Sequence, residues 1–384
     1  MNRQHFFKTG IFLCAGILFL PALYSQNNPR LDFIKGDIKA KTAAVKEAAE
    51  KGDYSLCIKG MDFAMENAEL LLNDEDTIAL LNESILSIQK NSLLSDSDVS
   101  SKLCDVFKTY TSDTVKENVI SRFKTFPSNA AVSIVNAYIS QAIQNSVPMT
   151  QTVRTSIQFL KTNGNTTSFR LLFVADVLDV WNQEHDFIAG AWGPLANNSE
   201  SEILQLLSGA DMDEKLAILN AVKENPYVLK KIKGEVAENA LSEAIYNVDD
   251  SSQSVIKLQL ASFKLISDSM WTRASSLSLS YFQIAKKEYE SGYITALDFC
   301  SVIEGLTHVA TAKTGEVLSQ YLDLLNRSME AKSAPEKVVV LSVINALGGL
   351  GDKTAFDSLL YVTYLEYPEE VISCARNALA KLKW

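Results

Sequence analysis

The chain has 384 residues, and its 46 acidic against 36 basic side chains leave a formal net charge of −10 at pH 7. Such a surface repels phosphate backbones and anionic lipid, so nucleic acid is excluded as an expected partner. The length exceeds what one compact core usually holds, which calls for two or three domains or for an elongated array.

Residues 1–25 read as an export signal. Arg3 and Lys8 form a positive n-region, Ile11 to Leu20 an apolar core of h-region length, and Ser25 a small residue before a cut at Gln26. The apolar stretch is shorter than the ~20 residues of a bilayer span. Leu13 stands where a lipidation site at Cys14 would need a small residue. Cleavage removes Arg3 and Lys8 and takes the net charge to −12. The expected address is export, either to a bacterial periplasm or beyond it as a secreted or envelope-associated protein. No later stretch approaches 18 apolar residues in a row, so no membrane span is expected in the mature chain.

Residues 26–110 are expected to be N-terminal helical hairpins, with a tight turn at Glu50-Lys51-Gly52-Asp53-Tyr54. From 111 to 384 the apolar period is helical throughout, and Phe169, Leu172, Phe173, Val177, Leu178 and Trp181 show it over 169–181. Helices are predicted over 114–124 with 130–144, and over 151–161 with 169–181. Further pairs follow within 213–246, 253–289, 294–327 and 336–365, and a last helix runs over 369–382. Ser95-Asp96-Ser97-Asp98, Asn197-Asn198-Ser199, Asp249-Asp250-Ser251-Ser252 and Ser333-Ala334-Pro335 punctuate them as caps and turns. Runs of alternating β-branched residues are missing, so strands are not expected.

The unit repeats. Leu347, Gly351, Thr354, Phe356 and Leu359 fall on Leu160, Gly164, Thr167, Phe169 and Leu172 after a shift of 187 residues. A looser copy runs from Val302-Ile303-Glu304-Gly305-Leu306 to Val317-Leu318, and Asn377-Ala378-Leu379 matches Asn345-Ala346-Leu347. Units that bury their apolar faces only against each other build a solenoid. The stretch Ala346-Leu347-Gly348-Gly349-Leu350-Gly351-Asp352 resembles the turn of HEAT-like, armadillo-type α-solenoid repeats, without the recurrent arginine that often opens their second helix. Residues 30–110 resemble tetratricopeptide hairpins equally well. The resemblance implies an all-α, right-handed superhelix of stacked antiparallel helix pairs that binds a partner, with no catalytic residue to carry over.

Chemistry sought along the chain meets structural explanations. Gly348 to Asp352 lacks the strand before it and the spacing of a phosphate cradle, and a helix end with Gly351 at positive φ accounts for it. His185 and His308 are the histidines left after cleavage, 123 residues apart and without zinc-ligand spacing. His185 is expected at the end of the helix holding Trp181, where a cation suits the dipole, and His308 in a turn. Asp74-Glu75-Asp76 and Asp249-Asp250 read as caps rather than metal ligands. Cys57, Cys104, Cys300 and Cys374 read as buried thiols. No cofactor, metal or catalytic set is expected. Aromatic residues favour interfaces, so Tyr361, Tyr364 and Trp384 are the expected contacts for a protein or peptide partner. The leading reading is a non-enzymatic exported scaffold. An enzyme or lyase-like helper on the same scaffold, and a structural role in the cell envelope, stay open at this point.

Overall fold

The computed structural model describes residues 28–246 and 252–383. The export signal, Asp249 to Ser251 and Trp384 lie outside the described residues. The described chain is all-helical and forms two compact units, one ending at Leu94 and one beginning at Ser95. The sequence reading divides the chain one helix later, after residue 110. Among the described residues no helix is long and apolar enough to cross a membrane.

The first unit holds α1 (Pro29–Lys35), α2 (Ile38–Glu50), α3 (Ser55–Glu66), α4 (Ala68–Leu71) and α5 (Glu75–Ser87). Short carboxylates start its helices: Asp37 accepts from the Ala40 amide at 2.8 Å, and Asp74 from the Thr77 amide at 2.8 Å. Each satisfies an N–H that the first turn leaves without a carbonyl. Asp74 thus caps α5, and the Thr77 hydroxyl, donating at 2.7 Å, together with the Thr77 amide holds its carboxyl below the usual range. The expected turn after α2 is present, with Gly52 at φ 80°. Helix α2 packs on α1, α3 and α5. Its buried Lys41 donates to the carbonyls of Phe33 at 2.6 Å and Gly36 at 2.9 Å, so the α1 C-terminus gains a cation where the dipole favours one.

The second unit opens with α6 (Asp96–Thr109), α7 (Asp113–Phe123), α8 (Asn129–Gln144), α9 (Gln151–Asn163) and α10 (Thr166–Val177). It continues with α11 (His185–Ala196), α12 (Glu200–Gly209), α13 (Met212–Glu224), α14 (Lys230–Tyr246), α15 (Gln253–Asp268) and α16 (Ser275–Glu290). It closes with α17 (Ala296–His308), α18 (Ala312–Glu330), α19 (Lys337–Leu350), α20 (Phe356–Val362) and α21 (Glu369–Leu379). Helices two apart in sequence pack side by side. The odd-numbered row runs α7, α9, α11 and then α13, α15, α17, α19, α21. Between α11 and α13 the link is Asn225, which donates to the Ala189 carbonyl at 2.7 Å. In the even-numbered row α8 lies between α6 and α10, and α12 and α14 follow. Further along that row the Phe282 and Tyr321 rings of α16 and α18 meet edge-on at 5.7 Å.

Two expectations are corrected. The 169–181 helix stops at Val177, because Asp179 turns to φ 54° and Trp181 folds back, its indole N–H donating to the Val147 carbonyl at 2.8 Å. Trp181 is buried, so its apolar position mimicked another helical turn. The pair α11 and α12 also fills a region the repeat reading passed over, and it adds one helix to each row, α11 beside α9 and α12 beside α10 and α14.

Gly351 ends α19 at φ 66°, as expected, with its amide on the Leu347 carbonyl at 3.0 Å. A β-branched residue there meets the left-handed penalty of ~1–2 kcal/mol. G351V is therefore expected to lose more than ~1 kcal/mol, read as a lower Tm; an unmoved Tm would refute the turn assignment.

Glu288 supplies a pH-dependent prediction. It is buried in α16 and its Oε2 meets no hydrogen-bond donor, so burial raises its carboxyl above the ordinary value. A raised acid binds its proton more tightly folded than unfolded, so it costs stability as pH climbs through and above the ordinary carboxylate range. E288Q is expected to melt higher than the parent at pH 7. The gain should fade below about pH 4, where the parent's carboxyl is protonated in both states.

Candidate binding face

Two of the expected aromatic contacts are neighbours, the Tyr364 amide donating to the Tyr361 carbonyl at 3.0 Å. Tyr361 lies on α20, partly exposed, and its hydroxyl donates to Glu330 Oε1 of α18 at 2.8 Å. That bond is the main cause raising its phenol. Tyr364 is 75% exposed in the turn beyond α20, whereas Tyr367 is buried and its phenol is pushed up to about 12. Tyr361, Tyr364 and Tyr367 stand three residues apart in sequence, but because α20 ends at Val362 they do not form a helical stripe. Two of the three named contacts, Tyr361 and Tyr364, reach the surface here, and Trp384 lies beyond the described residues.

A more extended surface feature follows the odd-numbered row. A cavity of about 250 Å³ opens between α15 and α17, and another of about 360 Å³ between α17 and α19. Glu304 lines both, so the two lie side by side and mark one surface, here called the furrow, across three helices. The row is close because its contact residues are small. A Cβ on Gly305 would stand 2.6 Å from the Phe263 ring, and one on Gly348 would stand 2.9 Å from Ala378 Cβ. Short polar side chains line the furrow, Ser301, Thr307, Ser342 and Asn345, together with the buried Phe263 and Val302 and the charged Lys264, Asp268 and Asp298. The thiol of Cys374 on α21 reaches Asn345 Oδ1 at 3.2 Å and extends the same face.

The furrow brings together two residues that the sequence keeps 41 positions apart. Ser267 Oγ lies 2.8 Å from His308 Nδ1. Sequence reasoning missed this because His308 was assigned to a turn; it is the last residue of α17. Only the pairing of α15 with α17 in repeat register would have revealed the contact. A hydroxyl beside an imidazole is the beginning of a nucleophile–base pair. Here, however, it sits where α15 and α17 both end, at Asp268 and His308. Helix C-termini present carbonyls and partial negative charge, the opposite of what an oxyanion needs. The geometry suits a tie between helices.

His185 corrects another expectation. It opens α11 instead of closing a helix, so the dipole does not favour a cation there. Its Nδ1 lies 2.7 Å from Asp176 Oδ1, and Trp192 Nε1 donates to Oδ2 at 2.7 Å. Burial raises the Asp176 carboxyl, while these two bonds act the other way. No disulfide joins the four described cysteines. Cys300 and Cys374 are only half-buried, against expectation, and burial still pushes both thiols up, away from a reactive thiolate. Among the described residues no group of three or more His, Cys, Asp or Glu is placed to hold a metal ion.

The chain matches no protein-family model, no curated protein and no solved structure.

Proposed function

We propose that this protein is an exported, non-enzymatic α-solenoid scaffold that binds a protein or peptide partner along the odd-numbered helix face. The observation that carries the reading is the furrow crossing α15, α17 and α19, walled by close-packed helices and lined in part by short polar side chains. The hydroxyls of Ser301, Thr307 and Ser342 already donate to carbonyls of this chain, so they offer acceptor oxygens to an extended polypeptide. The alternation of two helix rows fits a right-handed, HEAT-like superhelix of antiparallel pairs, in which equivalent positions of successive repeats line one surface. Export rests on residues 1–25, and a mature chain whose N-terminus is Gln26 in a periplasmic or secreted fraction would support it.

The test is a pull-down with the mature chain from a cell-envelope extract, with bound proteins identified by mass spectrometry, repeated with E304K. Glu304 is exposed and shared by both cavities, so the change leaves packing intact. Loss of the same partner in E304K is expected; retention at equal affinity would overturn the furrow as its site. With a mature charge of −12, the partner's docking segment is expected to be basic or apolar. Binding should then weaken as salt rises from low to physiological strength.

The double variant Y361A/Y364A checks the aromatic region separately. Tyr364 is exposed and Tyr361 has a single outward hydrogen bond, so circular dichroism should be unchanged. If these residues contact the partner, affinity falls at least about tenfold, the scale of losing an interface hot spot. Unchanged affinity removes Tyr361 and Tyr364 from the interface.

A further inference from the structure

The repeats are not uniform, and a short member, α12, opens a second surface. Helix α12 has 10 residues, whereas α8 and α14 of the same row have 16 and 17. It stops at Gly209 and the chain crosses at once to α13, so the end of α10 is left uncovered. Between α10, α12 and α13 lies a groove of about 580 Å³ walled by Phe173, Val174, Val177, Leu206 and Ile218. At its mouth Leu178 is 67% exposed. A Cβ on Gly209 would meet nothing within 4 Å, so the neighbouring helices do not close the gap. The volume is within the range of pockets that bury a ligand of several large groups.

Arg170 and Glu214 are the charges that line this apolar floor, and carboxylates outnumber cations around them. The nearby Lys215 is buried against the Ala210 carbonyl and paired with Glu243 at 3.2 Å. The cation on the rim, Arg170, is engaged by Glu202 at 3.6 Å. Glu214 lines the groove, and Asp211 and Asp213 flank it in sequence, while Asp179 follows Leu178. A fatty acid or other anionic amphiphile would bring its head group into this acidic rim. A cationic segment would gain from it.

We propose that the groove between α10, α12 and α13 is a docking site for a peptide segment that carries bulky apolar side chains next to lysine or arginine. The apolar residues occupy the floor and the cation meets Glu214, the carboxylate that lines the groove. This rests on the reading of the chain as a polypeptide-binding scaffold, and it adds a second site with a defined ligand chemistry.

The experiment selects a library of short random peptides on the full mature chain, then measures the enriched peptides on variants by fluorescence anisotropy. L178D places a carboxylate at the exposed mouth, and E214Q removes the charge of the lining carboxylate while keeping an acceptor for the Asp211 amide; circular dichroism checks both folds. The expected result is enrichment of apolar-plus-basic peptides that lose at least about tenfold on L178D and weaken on E214Q, the scale of one hot spot. Peptides that keep their affinity on both variants but lose it on E304K would overturn the groove and leave the scaffold reading standing. Failure to enrich any peptide would overturn both. A fatty acid such as palmitate, tested in parallel, should not compete; competition that L178D abolishes would overturn the cationic specificity.

Discussion

W192A is expected to lose about 3–5 kcal/mol of stability, the cost of deleting a large aromatic side chain from a packed core. Trp192 is fully buried in α11. Its ring meets Phe173 edge-on at 4.9 Å and Phe169 at 6.2 Å, and those two stack at 5.2 Å. Truncation leaves a void among rings that cannot all collapse into it. It also takes the indole N–H from Asp176 Oδ2, which sits on a side chain only 2% exposed. W192F separates the two losses, since it keeps most of the volume and removes the donor alone. Without that donor the Asp176 carboxyl, already raised by burial, moves further up. The folded state then holds the proton more tightly than the unfolded state over a wider range, so stability falls further as pH rises above the ordinary carboxylate range. W192F should therefore lie closest to the parent in acid and fall away from it towards neutral pH. A deficit in thermal melting that does not vary with pH would show that the indole N–H does not favour the ionised carboxylate over the protonated one.

The same α11 shows why part of the fold was not legible in the sequence. Gly351 and Gly52 were readable because a helix end at positive φ selects glycine over nearly every other residue. Gly190, Gly193 and Pro194 carry the same letters inside a helix, where they look like punctuation. The reason for Gly193 is tertiary: a Cβ there would collide with the side chain of Asn225, which bridges to the Ala189 carbonyl. Nothing local distinguishes that glycine from one in a turn. Trp181 failed in the opposite sense, since an aromatic residue at the right spacing extends a helical period on paper while its backbone has already left the helix.

The candidate sites were less legible still, for a related reason. Tyr361 and Tyr364 were visible as aromatic letters, but their exposure depends on where α20 stops. The furrow and the groove consist of residues that are unremarkable one at a time. Ser267, Glu304 and Asn345 become neighbours only through the stacking of α15, α17 and α19, and Val177 faces Ile218 only because α12 is short. Local periodicity shows which side of a helix is apolar. It does not show which apolar positions the next repeat leaves uncovered.

Packing within the odd-numbered row leads to the other large expected effect. G305V is expected to cost about 3 kcal/mol, the upper part of the range for overpacking a core. The new Cβ would lie 2.6 Å from Phe263 Cε1, 3.1 Å from its Cζ and 3.3 Å from Ser267 Cβ. Phe263 cannot swing aside, because it is buried and its ring packs on Tyr281 at 5.4 Å. The remaining relief is for α17 to move off α15, which stretches the Ser267–His308 bond one turn further along. Replacing a mid-helix glycine by valine returns only a few tenths of a kcal/mol of helix propensity. Alanine returns ~1 kcal/mol, so G305A carries the same first collision with a larger offset. The expected order of Tm is parent, then G305A, then G305V. A G305A protein that melts above its parent would mean that the two helices have room to spare. Function gives a second readout, because separating α15 from α17 deforms the furrow and leaves the α10–α13 groove untouched. G305V should therefore lose a furrow-bound partner, as E304K does, while peptides selected on the groove bind it as they bind the parent.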